Sequence, residues 1–144
     1  MTLPEKLRSE LQREFRFDTE LITPHCIFHP LDHGRFLISI VPPIKQGIPE
    51  LIINKSLKAK ADLVVLVIPS DTSTEWFSNV FNKSTAGNGR VTLRPIQGRV
   101  KFTTEDNQIK RVPACLIVFR SDAELERITT EKQAQIYEHQ ANSR

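Results

Sequence analysis

His25, Cys26, His29, Asp32 and His33 place five side chains of metal-ligating types within one short stretch. A zinc ion needs three or four such groups in fixed tetrahedral geometry. The spacing here matches no paired ligand set, and Pro30 breaks any helix that could align the histidines. The stretch reads as a polar loop; no metal is expected, and no role is read for His25, His29 or His33. Ser70 and Asp71 follow an apolar run, DLVVLVIP, at what would be the carboxyl end of a strand. Open α/β sheets bind ligands there, although capping of the next helix also accounts for both residues. Residues 83–111 carry Lys83, Arg90, Arg94, Arg99, Lys101, Lys110 and Arg111 against only Glu105 and Asp106. That excess reads either as a solvated strand face or as a phosphate-facing patch. Residues 39–47, SIVPPIKQG, place two prolines directly after an apolar strand, with Val41 and Ile44 as flanks. The five glycines form no phosphate-binding loop, and no serine sits in a nucleophile elbow.

The elements that must position these groups follow from periodicity. Leu3, Leu7, Leu11 and Phe15 recur every four residues, so 3–15 reads as an amphipathic helix with Pro4 in its first turn. Residues 17–35 read as irregular. Phe36–Ile40 reads as a short strand, then the Pro-Pro turn, then a helix over 49–60 with Leu51, Ile52 and Leu57 inward. Asp62–Ile68 is apolar on both faces, which predicts a central strand covered on each side. Ser or Thr near 70–73 is expected to cap a helix carrying Trp76, Phe77, Val80 and Phe81, with Trp76 and Phe77 in the core. VTLRPI (91–96) and GRVKF (98–102) read as strands divided at Gln97-Gly98. A turn at 103–107 leads to a last strand, ACLIVF (114–119). Ser121 and Glu124 form a capping-box pattern opening a polar helix to about residue 140, anchored by Leu125, Ile128, Ile136 and Tyr137. Early alternation of helix and strand implies parallel βαβ units, and the late strands imply an antiparallel edge.

The 144 residues are 39% hydrophobic and 26% charged, which suits a single globular domain (1–144) with 121–144 as a peripheral helix. No run reaches the roughly 18 apolar residues of a membrane span. The charged, helical amino terminus does not read as a secretory signal. Two cysteines, Cys26 and Cys115, in unrelated contexts suit free thiols in a reducing compartment. A cytoplasmic protein is expected.

The order of motifs from residue 62 carries a family resemblance. LVVLVIPSDTSTEWF, VTLRPIQGRVKF and PACLIVF resemble the carboxyl-terminal half of phage-type DNA adenine-N6 methyltransferases, the Dam type. The matching positions are Pro69, Asp71, Thr72, Trp76, Phe77, Gly98, Arg99, Phe102 and Pro113. LPEKLRSELQREFRFDTE is similar to that family's opening helix. The resemblance implies a truncated Rossmann-like S-adenosylmethionine methyltransferase fold. It is an α/β fold whose mixed sheet ends in antiparallel strands and a carboxyl-terminal helix. It also implies a bacterial host cytoplasm as the setting. In that family an Asn/Asp-Pro-Pro-Tyr/Phe turn accepts hydrogen bonds from the adenine amino group and stacks on the flipped base.

Here the turn is Val41-Pro42-Pro43-Ile44. Valine has no acceptor, and isoleucine does not stack as an aromatic does. Only 20 residues separate Glu20, the counterpart of an acidic cofactor-binding position, from Val41, fewer than the family keeps there. The expectation is a catalytically inactive methyltransferase-like protein that binds DNA or a protein partner and not a membrane. Glu20 and Ser70 are the cofactor-side candidates, and Lys45, Arg90, Arg94, Arg99 and Lys101 the nucleic-acid candidates. One alternative is an active enzyme using S-adenosylmethionine, with Ser39, Ser70 or above all Asp71 supplying the acceptor. The other is a phage factor acting on a host protein without DNA affinity.

Overall fold

The computed structural model describes residues 2–142, with side chains as far as Ile136. In chain order the elements are α1 (Glu5–Phe15), β1 (Thr19–Ile22), a 3-10 turn (His25–Ile27), β2 (Arg35–Ser39), α2 (Ile48–Leu57), β3 (Leu63–Pro69), α3 (Glu75–Thr85), β4 (Val91–Thr103), β5 (Ile109–Arg120) and α4 (Asp122–Asn142). The fold is α/β, with a mixed five-stranded open sheet in the order β1-β2-β3-β5-β4. β1, β2 and β3 are parallel, and β5 runs antiparallel to both β3 and β4.

Alternation along β3 fixes the layers. Val64, Leu66 and Ile68 enter the core beneath α2 and α3, where Ile52, Ile53, Trp76 and Val80 meet them. Leu63, Val65 and Val67 enter the opposite core with Leu11 and Phe15 of α1. A strand buried on both faces needs no polar alternation, which is why DLVVLVI was readable as central. Each fully buried Leu, Ile or Val side chain contributes about 1.5–3 kcal/mol over exposure.

Several expectations need correction. Residues 17–35 are not wholly irregular, because Thr19–Ile22 pairs with Phe36–Ser39 as an edge strand. Four residues paired on one side leave almost no periodic signal. VTLRPI and GRVKF are one strand, β4, with a bulge between Pro95 and Arg99. Pro95 cannot donate to a ladder, and Gly98 adopts a φ of 76°, which suits glycine. In α2 the buried face is Pro49, Ile52, Ile53 and Ser56, while Leu51 and Leu57 are exposed. The cap of α3 is Thr74, whose Oγ1 accepts from Phe77 N at 3.4 Å. Trp76 is buried and Phe77 packs against the same core, whereas Phe81 is exposed.

Ser121 caps α4 as expected, its Oγ accepting from Glu124 N at 3.1 Å. Glu124 does not complete a capping box. Its carboxylate is buried and accepts from Arg35 Nη1 at 2.7 Å and Arg127 Nη2 at 2.7 Å. Arg35 also donates to Phe15 O at 2.6 Å, so one guanidinium ties α1, β2 and α4 together. Ile136 is exposed, and the Tyr137 side chain lies outside the described residues. No helix among the described residues is long and apolar enough to cross a membrane.

Candidate functional site

Parallel strands β1 and β2 end side by side, and their carboxyl ends open into a cleft of about 590 Å³. One wall is the turn after β2, Ile40 to Lys45, including Pro42 and Pro43. A second is Ile22, Thr23 and Pro24 after β1, with Ile27 of the 3-10 turn. The third comes from far along the chain: the β4–β5 turn, Thr103 to Asn107, together with Thr2. This wall exists because the end of β4 folds over α1-side core residues. Val100 and Phe102 are buried there, and Thr103 N donates to Thr2 O at 2.9 Å.

The turn carries no hydrogen-bonding side chain between Val41 and Ile44. The Pro42–Pro43 peptide is cis. Val41 N donates to Thr23 Oγ1 at 3.1 Å, and the Val41 side chain packs against the α1-side core. Ile44 packs against the opposite core. The hydrogen-bonding side chains of the cleft stand elsewhere, as Thr23, Lys45 and the hairpin-turn residues Thr104, Glu105, Asp106 and Asn107. Across the rim, His25 Nε2 approaches Glu105 Oε1 at 3.4 Å, with both side chains largely exposed. The 3-10 turn is held by Lys55 of α2, whose Nζ donates to Ile27 O at 2.8 Å and also to the carbonyls of Cys26 and His29.

The other nominated residues lie off the cleft. Glu20 accepts from Arg8 Nε at 2.6 Å, on the α1 face. Asp71 Oδ1 accepts from Ser73 Oγ at 2.6 Å and Ser73 N at 3.2 Å, which shapes the turn before α3. Ser70 N donates to Pro113 O at 2.9 Å. Burial pushes the Cys115 thiol up, and a hydrogen bond with the Ser70 side chain partly offsets this. Ser39 is buried. His29 Nδ1 meets Pro30 O at 2.8 Å, and its ring stands edge-on to Phe36. Cys26 is buried, and among the described residues no three His, Cys, Asp or Glu side chains come together.

The nominated cations divide into two groups. Arg90 pairs with Asp122. Arg94 makes a two-pronged pair with Glu14, both contacts 2.8 Å, and lies 5.5 Å over the Phe15 ring. Their charges are matched within the fold. Lys45 is exposed on the cleft rim. Arg99 and Lys101 are exposed on β4, and neither has a carboxylate partner among the described residues. Sequence reasoning missed the Thr103–Asn107 wall, whose only signal was a turn motif. It counted Arg111 as charge without placing it opposite Lys101.

S-adenosylmethionine would fit this cleft by volume, since pockets for ligands of that size span roughly 300–1,000 Å³. The donor set fits less well: Glu20 is committed to Arg8 outside the cleft, and the turn beside Pro42 offers apolar side chains. No family model matches the chain, and no curated protein and no solved structure matches it either.

Proposed function

We propose that the chain is a methyltransferase-like protein, akin to the phage Dam type, that transfers no methyl group and serves as a nucleic-acid-binding module. One observation carries the reading. The cleft lies at the carboxyl ends of the parallel strands, beside Pro42 and Pro43, yet the residue that the resemblance puts in the acceptor position is Val41, which lines the cleft with no polar side-chain atom and is partly buried against the α1-side core. A site that loses its key polar partner typically loses on the order of 10²-fold or more in rate. The sequence resemblance supplies the nucleic-acid half of the reading, together with exposed cations on β4.

The test is a methyl-transfer assay with labelled S-adenosylmethionine and unmethylated duplex DNA, run beside calorimetric titration of the cofactor. The expected result is no transfer above background. Sustained turnover would refute the reading, and Glu105 and Asp106 of the facing wall would then be the first acceptors to substitute.

A further inference from the structure

β4 and β5 outrun the sheet. The last β3–β5 pair is Pro69 with Ala114, so Arg99–Thr103 and Ile109–Pro113 continue past the end of β3 as a two-stranded ribbon. Val100 and Phe102 turn into the α1-side core. Alternation then commits Arg99, Lys101 and Thr103 to the outer face, where their cross-strand partners are Pro113, Arg111 and Ile109. Arg99, Lys101 and Arg111 are all exposed, and none has a carboxylate partner among the described residues.

This charge arrangement costs the fold something. Like charges directly opposite one another destabilise a sheet pair, and Lys101 stands directly opposite Arg111. Lysine and arginine on an edge strand protect against edge-to-edge pairing. Such protection does not require cation against cation, and it works with carboxylates interspersed. The ribbon's two acids are instead kept at the tip: Glu105 faces His25 across the cleft, and Asp106 accepts from Thr104. Along β4 the charge is sorted. Arg90 and Arg94, beside the sheet, are neutralised by Asp122 and Glu14, while the cations of the projecting half are left open.

A two-stranded ribbon is narrow enough for the major groove of duplex DNA. The rest of the outer face is Thr103, Ile109 and Pro113, with no aromatic ring to stack on a base and no amide to pair with a base edge. We infer that the outer face of the ribbon, through Arg99, Lys101 and Arg111, grips duplex nucleic acid by its phosphates. The inference rests on the nucleic-acid half of the proposed function and is independent of whether methyl transfer is lost.

The experiment measures binding of the full chain to two unrelated labelled duplexes by fluorescence anisotropy, from about 50 to 200 mM salt. Wild type is compared with Arg99→Gln/Lys101→Gln/Arg111→Gln and with a control of equal charge loss, Lys58→Gln/Lys60→Gln/Lys83→Gln. All six positions are exposed, and thermal melts confirm that each variant is folded. Each phosphate contact contributes about 0.9 to the slope of log affinity against log salt, so losing three lowers it by about 2.7. Over that fourfold salt range, wild type should lose roughly 40-fold more affinity than the ribbon variant. The control should track wild type on both duplexes. A ribbon variant that binds like wild type overturns the inference and leaves a DNA-binding module that uses another surface. Wild type that ignores DNA at low salt overturns the inference and the nucleic-acid half of the proposed function together. Vesicles of anionic phospholipid are titrated in parallel, and binding to them without binding to DNA would assign the ribbon to a membrane surface instead.

Discussion

Substituting Glu124 by glutamine tests the polar junction of α1, β2 and α4. The carboxylate is only 5% exposed and takes four charge-assisted hydrogen bonds, two from Arg35 and two from Arg127. Burial alone would raise its pKa; the bonds from Arg127 and Arg35 outweigh burial and hold it at about 2. The usual glutamate value is about 4.3, so the depression corresponds to roughly 3 kcal/mol of folding stability at neutral pH. Arg127 is itself 44% exposed, so solvent screening brings the expectation to about 2 kcal/mol. A carboxylate whose pKa is lower in the folded state stabilises above its unfolded value. That contribution fades as pH falls from about 4.5 towards about 2. The assay is urea unfolding of wild type and Glu124→Gln at intervals from pH 7 to pH 2.5. Other carboxylates titrate in both proteins, so the difference between the two curves isolates Glu124. It should stand near 2 kcal/mol at pH 7 and shrink through the acid range. Parallel curves would refute the reasoning, because they would show that the carboxylate's charge contributes nothing to the junction.

Three further outcomes are expected. Lys55→Met strips the donor from the carbonyls of Cys26, Ile27 and His29 and should cost about 1–3 kcal/mol, with faster amide hydrogen exchange around residues 25–29 than in β3. Phe102→Ala empties a fully buried site where the ribbon meets the α1-side core and should cost about 3–5 kcal/mol in denaturant unfolding. The Arg94–Glu14 pair is nearly half exposed, so a double-mutant cycle should return a coupling of about 1 kcal/mol or less despite its two 2.8 Å contacts.

The readable parts of this fold share one property: their signal is local. DLVVLVI announces a central strand because burial on both faces is written into six consecutive residues, Leu63 to Ile68. TELI announces nothing, since a four-residue edge strand owes its conformation to β2. In α2, Leu51, Ile52, Ile53 and Leu57 surround the helix with apolar residues, so hydrophobicity defines no stripe. The sheet chooses the face on which Pro49 and Ser56 leave room to pack. The Ser121–Glu124 spacing is a good local match to a capping box. Yet Arg35, 89 positions away, captures the glutamate with a stronger charge-assisted bond. The cleft divides in the same way. Its Pro-Pro wall was legible as a strand-ending turn, whereas its third wall, Thr103 to Asn107, arrives through the ribbon's fold-over and leaves no mark beyond a turn motif.

β5 lies between β3 and β4 although it is the last strand to be synthesised. During translation β4 has no other neighbour to pair with, and one edge of β3 stays open until β5 has left the ribosome. About fifty residues separate the ends of the two strands, a wait of roughly 3–10 s at ordinary synthesis rates. Through that interval the most apolar strand of the chain presents unpaired backbone, the condition under which strands join wrong partners. A stop codon between Thr103 and Ile109 would therefore release a chain whose central apolar strand has one edge uncovered, so such products should aggregate even though every residue of α1 to β4 is present.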